Sequence, residues 1–121
     1  FLRPYADEGL FVYADSADPR LIDEVALGGI VIYGAQKGAG SILAGIDKMQ
    51  TFEIFTTKQS VHLQSEFRKY VWSKDKDGNY INVPEDHDNH LIDAARYYIL
   101  AVLLGKVMKP RKASKSDLGV Y

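Results

Sequence analysis

The stretch that decides the fold is LFVYADSADPRLIDEVALGGIVIY, residues 10–33. Continuous apolar runs open and close it, at residues 10–14 and 30–33. Such runs are typical of strands that are covered on both faces, as in parallel sheets. Between them, Asp18-Pro19 has the pattern of a helix N-cap and first turn, and Gly28-Gly29 that of a helix end. The stretch therefore predicts a strand, a helix and a second, parallel strand.

The pattern continues beyond this unit. After the loop of residues 34–40, Ser41 is expected to cap a short helix whose apolar face is Ile42, Ile46 and Met49. Residues 52–55 predict a third strand and residues 57–70 a further helix. Strands at residues 71–73 and 80–82 flank Asp77-Gly78, which is a hairpin signal.

A last helix follows the hairpin, and Asp86, Asp88 and Asn89 are the candidates for its N-cap. Its predicted apolar face consists of Ile92, Ala95, Ile99, Val102 and Leu103, and its predicted end is Gly105. Strands that alternate with helices in this way predict an α/β fold with parallel pairing, extended by a β-hairpin.

Composition bounds the function. The 121 residues, 46% of them hydrophobic, suit one compact domain, and the lack of cysteine excludes disulfides and thiolate chemistry. No apolar run approaches the roughly 20 residues that cross a bilayer. The net charge of −1 gives no sign of nucleic-acid binding, but residues 106–121 are rich in lysine and arginine. We expect a flexible basic tail there, which either holds phosphates or is merely solvated.

Asp15 is the first candidate for chemistry. It directly follows a predicted buried strand, and open α/β sheets place their ligands at this carboxyl edge. An isolated aspartate in such a loop is more often a turn former. Because Asp18 suits the capping role better, Asp15 is left for chemistry.

His90 and Asp93 are the second candidate pair. Their i, i+3 spacing places them on one face in the first turn of the last helix, opposite the apolar residues. The alternative is an acid that merely stabilises a helix N-terminus, beside a surface histidine.

The segment KGAGS, residues 37–41, is glycine-rich and leads into a helix. It does not have the P-loop spacing, because Lys37 precedes the glycines. It offers backbone amides and a positive charge to a DNA phosphate, or it is a plain connection. The hairpin lysines, Lys74 and Lys76, are further candidates for DNA contact.

Four segments in this order resemble the large subunits of phage terminases: residues 13–24 (YADSADPRLIDE), 37–47 (KGAGSI, then GID), 66–79 (EFRKYVW, then KDKDGN) and 88–97 (DNHLIDAARY). The resemblance implies an ATP-driven DNA-packaging motor of the bacterial cytoplasm, whose C-terminal domain is an RNase H-like endonuclease. In that domain acids bind two Mg²⁺ or Mn²⁺ ions and double-stranded DNA is cut.

By this resemblance, Asp15 matches the family's second acid and Asp93 its last acid, and both would bind metal. His90 matches the histidine one turn before that last acid, where it would assist proton transfer or hold a metal-bound water. The other implied partners are the ATPase domain, the small terminase subunit and the portal.

The chain departs from the family at its beginning. The strand that carries the family's first acid would lie upstream of Asp15, where only a short segment is present. We therefore expect residues 1–105 to be a partial nuclease domain with its N-terminal strands missing, an incomplete metal site and little activity alone. An exposed sheet edge would allow self-association. The alternatives are a non-catalytic prophage remnant or interaction module of the same fold, and another RNase H-like enzyme.

Overall fold

The computed structural model describes residues 1–105, so the predicted basic tail lies outside it. The strand–helix–strand unit is confirmed: β1 is Val12–Ala14, α2 is Pro19–Leu27 and β2 is Ile32–Gly34. The two strands pair in parallel. Asp18 caps α2, since its carboxylate accepts a hydrogen bond from the Arg20 N–H at 3.1 Å. A short helix that the sequence did not predict, α1 (Arg3–Asp7), precedes this unit.

The remaining elements are α3 (Ser41–Met49), α4 (Val61–Lys69), the hairpin strands β3 (Trp72–Lys74) and β4 (Tyr80–Pro84), and α5 (His90–Tyr98). The π-helical turn Ile99–Leu103 continues α5. The hairpin is antiparallel, as predicted, and its turn contains Gly78 at φ +82°. The α/β class is confirmed, with the parallel pair and the hairpin forming two separate small sheets.

The predicted third strand at residues 52–55 is wrong. The segment has no regular structure, and Phe55 is 82% exposed. A strand needs a partner for its backbone N–H and C=O groups. Within residues 1–105 this segment pairs with no other strand. The apolar composition of residues 52–55 is typical of a strand, but these residues form no strand in the described part of the chain.

The predicted apolar faces need correction. Ile46 and Met49 of α3 are buried, but Ile42 is exposed, and so are Val102 and Leu103 in the π-helical turn. Leu100 and Ala101 are buried instead. The π-helical turn has more residues per turn than an α-helix, so it shifts which side chains face the core.

The predicted helix caps also differ from the structure. Gly40, at φ +76°, is the N-cap residue of α3. Ser41, which was the predicted cap, is instead the first residue of the helix, and no side chain caps this end. Asn89, one of the predicted candidates, is the N-cap residue of α5, but its side chain donates to Asp86 and does not cap the helix. The acceptor at this helix end is Glu66 of α4, whose Oε2 accepts the N–H groups of Leu91 and Ile92 at 2.8 and 2.9 Å. The Glu66 side chain therefore connects α4 to the first turn of α5 by hydrogen bonds.

The core lies where α3 and α5 meet the parallel strands. Ile92 and Leu100 are each 1% exposed and are its most deeply buried large side chains. The other buried apolar residues are Ile22, Ile32, Ala35, Ile46, Met49, Tyr97 and Ala101. Within residues 1–105, no helix has the length and apolar character that crossing a membrane requires.

Gly45 lets α3 approach α5 closely. A Cβ atom at this position would lie 2.3 Å from Cγ and 2.8 Å from Cδ of Arg96, which is itself buried. Those methylene groups lie near the base of the arginine, so they cannot swing away without moving the charged end as well. The absence of a side chain at Gly45 is thus a packing requirement.

We predict that Gly45→Ala destabilises the fold. Overpacking of this kind costs about 1–3 kcal/mol, against the gain of about 1 kcal/mol that alanine has over glycine in a helix. Urea denaturation should show a lower free energy of unfolding. Gly38→Ala is the control, because nothing lies within 4 Å of a Cβ there. A Gly45→Ala protein as stable as the parent would contradict the packing argument.

Candidate active site

Asp15 lies directly after β1, at the carboxyl edge of the parallel pair. One of its oxygens, Oδ1, accepts a hydrogen bond from the Ala17 N–H at 2.8 Å and pairs with the Lys37 ammonium at 2.5 Å. Asp15 is therefore a turn former and also a half-exposed carboxylate at the sheet edge. The prediction that Asp18 is the helix cap is confirmed, and Asp15 has a local turn bond in addition.

The strand pairing brings Lys37 to Asp15. The Ala35 N–H donates to the Ala14 carbonyl at 2.7 Å, and the Ser16 hydroxyl donates to the Ala35 carbonyl at 2.7 Å. These bonds extend the contact of the two strands into the loops that follow them. Because parallel strands end at the same edge, the glycine-rich loop then lies beside Asp15.

Tyr97 connects this edge to α5. Its hydroxyl donates to Oδ2 of Asp15 at 3.5 Å, and the Lys37 ammonium lies 5.8 Å from the centre of its ring. The sequence analysis did not single out Tyr97. The available signal was its position one helical turn after Asp93, on the same face of α5.

Asp93 is paired within α5. Its Oδ1 accepts a hydrogen bond from the Arg96 guanidinium at 2.9 Å, while Arg96 is only 4% exposed. Among the described residues, Nε of Arg96 has no hydrogen-bond partner, and the guanidinium lies 5.2 Å from the Tyr97 ring centre. The i, i+3 spacing of opposite charges was the sequence signal for this pair.

A cavity of about 460 Å³ is lined by Lys37, Asp93, Arg96 and Tyr97, whereas Asp15 contacts Lys37 but is not among the lining residues. It lies between the loop that begins at Lys37, the end of β4 and the face of α5 that carries Asp93, Arg96 and Tyr97. The structure thus places the two predicted acids at the two ends of one row of side chains: Asp15, Lys37, Tyr97, Arg96 and Asp93.

The other predicted site residues are placed differently. His90 is the first residue of α5 and is exposed. Lys74 lies over the Tyr80 ring in the hairpin, at 4.8 Å, and Lys76 is exposed at the hairpin tip. Of the predicted site residues, Lys37 and Asp93 line the cavity, as far as the structure describes the chain. His90 is therefore near Asp93 in sequence but outside this cavity.

The charges in this row affect one another. The hydrogen bond from Lys37 holds the pKa of the Asp15 carboxyl below its ordinary value, and Asp15 in turn raises the pKa of the Lys37 ammonium. Burial raises the pKa of the Tyr97 hydroxyl, and the negative charges of Asp15 and Asp93 raise it further. At neutral pH Asp15 is therefore a charged carboxylate, Lys37 a charged ammonium and Tyr97 a neutral phenol.

The donor chemistry fits a hard divalent cation in part. Carboxylate oxygens are the ligands that Mg²⁺ and Mn²⁺ prefer. However, Asp15 and Asp93 each face a cationic side chain, and residues 1–105 contain no group of three or more His, Asp or Glu side chains arranged to hold a metal. Within residues 1–105, Asp15 and Asp93 are thus two carboxylates that each lie beside a cationic side chain and are joined by one row of contacts.

Comparison with known proteins identifies the family to which the chain belongs. Residues 11–100 match the family model of the terminase RNase H-like domain. The chain is 35% identical over 102 residues to the large terminase subunit of Bacillus phage SPP1, covering 80% of this chain and 24% of that protein.

The fold also matches a crystal structure, that of the g2p large terminase nuclease domain from bacteriophage SPP1 with bound Mn. The TM-score is 0.72 and the sequence identity 34%. The match covers 82% of this chain and 58% of that one. With a family model that spans most of the sequence and a relative of the same fold, this chain belongs to the terminase RNase H-like domain family.

Proposed function

We propose that the chain is part of the metal-dependent endonuclease domain of a phage or prophage terminase large subunit, which cuts double-stranded DNA during genome packaging. The observation that carries this proposal is the row of side-chain contacts that joins Asp15, through Tyr97 and Arg96, to Asp93. A family match gives ancestry alone. The row of contacts joins two acids from distant parts of the chain, and it is the proposed location of the reaction.

Asp15 and Asp93 are the proposed metal ligands. The cofactor is Mg²⁺ or Mn²⁺, in keeping with the Mn in the SPP1 nuclease domain. Divalent ions bound by carboxylates supply an activated water and stabilise the leaving oxygen of a phosphodiester. The chain's own contribution is to hold Asp15 by the Ala17 N–H and Asp93 by Arg96, so that both carboxylates have fixed positions.

His90 has the proposed role of a proton carrier at the edge of the site. Its position in the first turn of α5 puts it one turn before Asp93. An exposed imidazole side chain is a suitable group for general acid or base catalysis. We assign it this assisting role and no metal bond.

DNA is the proposed substrate, and three lysines are its proposed contacts. Lys74 and Lys76 lie in the hairpin, whose strand β4 ends at the cavity, and Lys37 lies in the cavity wall. Each contributes a positive charge to a backbone phosphate without reading sequence. The further proposed partners are those that the family implies for full-length large subunits: the ATPase domain, the small terminase subunit and the portal.

We also propose that this chain has little nuclease activity by itself. Two carboxylates are fewer than a two-metal site uses, and both are neutralised by cationic side chains. The same observation favours a second candidate function, a non-catalytic module of the same fold, such as a prophage remnant. In either case the unpaired edge of the parallel pair is a surface for strand pairing and self-association.

In a plasmid-nicking assay with Mn²⁺ or Mg²⁺, we expect the 121-residue chain to give no cleavage above background. The physical reason is that, within residues 1–105, the two proposed metal ligands are fewer than a two-metal site uses for catalysis. Robust cleavage that is lost in the Asp15→Asn variant would show that the site is complete and would refute this prediction.

A chimera distinguishes the two candidate functions. We expect that joining this chain to the part of the SPP1 nuclease domain that it does not match produces Mn²⁺-dependent nicking. Asp15→Asn and Asp93→Asn should each lower the rate by at least the roughly 10- to 100-fold that is typical of losing an outer-shell partner.

Asp7→Asn is the matched control for the chimera, because Asp7 is an exposed acid at the end of α1, outside the matched region. Its rate should equal that of the parent chimera. A folded but inactive chimera would favour the non-catalytic module.

A further inference from the structure

Lys37 holds the position that a cation would take at Asp15. Its ammonium lies 2.5 Å from Oδ1 of Asp15, the oxygen that also accepts the Ala17 N–H. The remaining oxygen, Oδ2, faces the Tyr97 hydroxyl. Both oxygens of the carboxylate are thus engaged by groups of this chain.

Binding the Lys37 ammonium and a divalent cation to Oδ1 of Asp15 at the same time is energetically unfavourable. Mg²⁺ binds carboxylate oxygens at about 2.0–2.1 Å, so a Lys37 ammonium left in place would be a like charge within a few ångströms of it. For a metal to bind Asp15 well, the lysine side chain has to move away.

Lys37 is free to move, whereas the second cation of the site is not. The Lys37 side chain is 41% exposed and belongs to a loop, and lysine has a flexible four-carbon stem. The Arg96 side chain is 5% exposed, and its stem packs against Gly45. The two ion pairs therefore differ in kind: the pair at Asp93 is part of the packed core, and the pair at Asp15 can open.

We propose that Lys37 is an internal counter-ion that competes with the divalent metal for Asp15. This inference rests on the proposed metal role of Asp15. In the metal-free chain the lysine neutralises the carboxylate. When it leaves, its ammonium is released at the wall of the cavity, where it is available to a DNA phosphate.

The test is a Mn²⁺ titration of the ¹⁵N-labelled 121-residue chain, followed by paramagnetic broadening of the amide signals around Asp15. This readout needs no nuclease activity and detects weak binding. Replacing Lys37 by Met removes the competing charge. Because a half-exposed ion pair is modest in strength, we expect Lys37→Met to bind Mn²⁺ about two- to five-fold more tightly.

Two controls separate competition from a general change of charge. Lys48→Met removes the same charge from α3, where Lys48 lies over the Phe52 ring, and should leave the Mn²⁺ affinity unchanged. Lys37→Arg keeps a cation at the site and should behave as the parent chain. A dispersed amide spectrum checks that each variant is folded.

The outcomes separate this inference from the proposed function. Asp15→Asn should abolish the broadening at this edge, and if it does not, the metal role of Asp15 fails and the inference with it. If Asp15→Asn abolishes the broadening but Lys37→Met binds Mn²⁺ equally or more weakly, competition alone is overturned.

Discussion

The buried contact of Arg96 with Gly45 and Asp93 is the constraint on which the rest of the site depends. Arg96 is 4% exposed, which is rare for a charged residue unless it is paired. Its stem occupies the space that Gly45 leaves open, and its guanidinium bonds to Asp93. Breaking such a pair by removing one partner leaves a buried charge uncompensated, at a cost of about 3–5 kcal/mol. The contact therefore fixes α5 against α3 and, with it, the position of Asp93.

The position of α5 then determines what meets the sheet edge. With α3 and α5 in contact, Tyr97 reaches Asp15 and lies between Lys37 and Arg96. Glu66 fixes the beginning of the same helix from α4. Two acids that are far apart in the chain are thus joined through side chains, and each has a cationic neighbour. One of these neighbours is immobile because it is packed, and the other is mobile because it is exposed.

Much of this arrangement could be predicted from local sequence. The apolar runs around Asp18-Pro19 predicted the parallel unit, and Asp77-Gly78 predicted the hairpin, because strand burial and turn chemistry are local properties. The positions of Asp15 and Asp93 at element ends followed from the same boundaries. Residues 52–55 misled the prediction because strand formation needs a partner, which local composition does not reveal.

The remaining features depend on tertiary contacts. Glu66 accepts hydrogen bonds from the beginning of α5, and Gly45 leaves space for Arg96. Both contacts involve residues that are far apart in the sequence. The Asp15–Lys37 pair required knowing that two loops lie side by side. The buried face at the end of α5 differs from the predicted one because the chain continues as a π-helical turn over Ile99–Leu103. The spacing of apolar residues in the sequence does not reveal such a turn.

The central claim is that Asp15 and Asp93 belong to one metal site. The most direct measurement is an anomalous difference map from crystals of this chain soaked in Mn²⁺. We expect Mn²⁺ density bonded to the Asp15 and Asp93 carboxylates, with the Lys37 ammonium displaced from Asp15. Mn²⁺ found only at other acids, such as those of the hairpin tip or the loop before α5, with the Asp15–Lys37 pair intact, would contradict it.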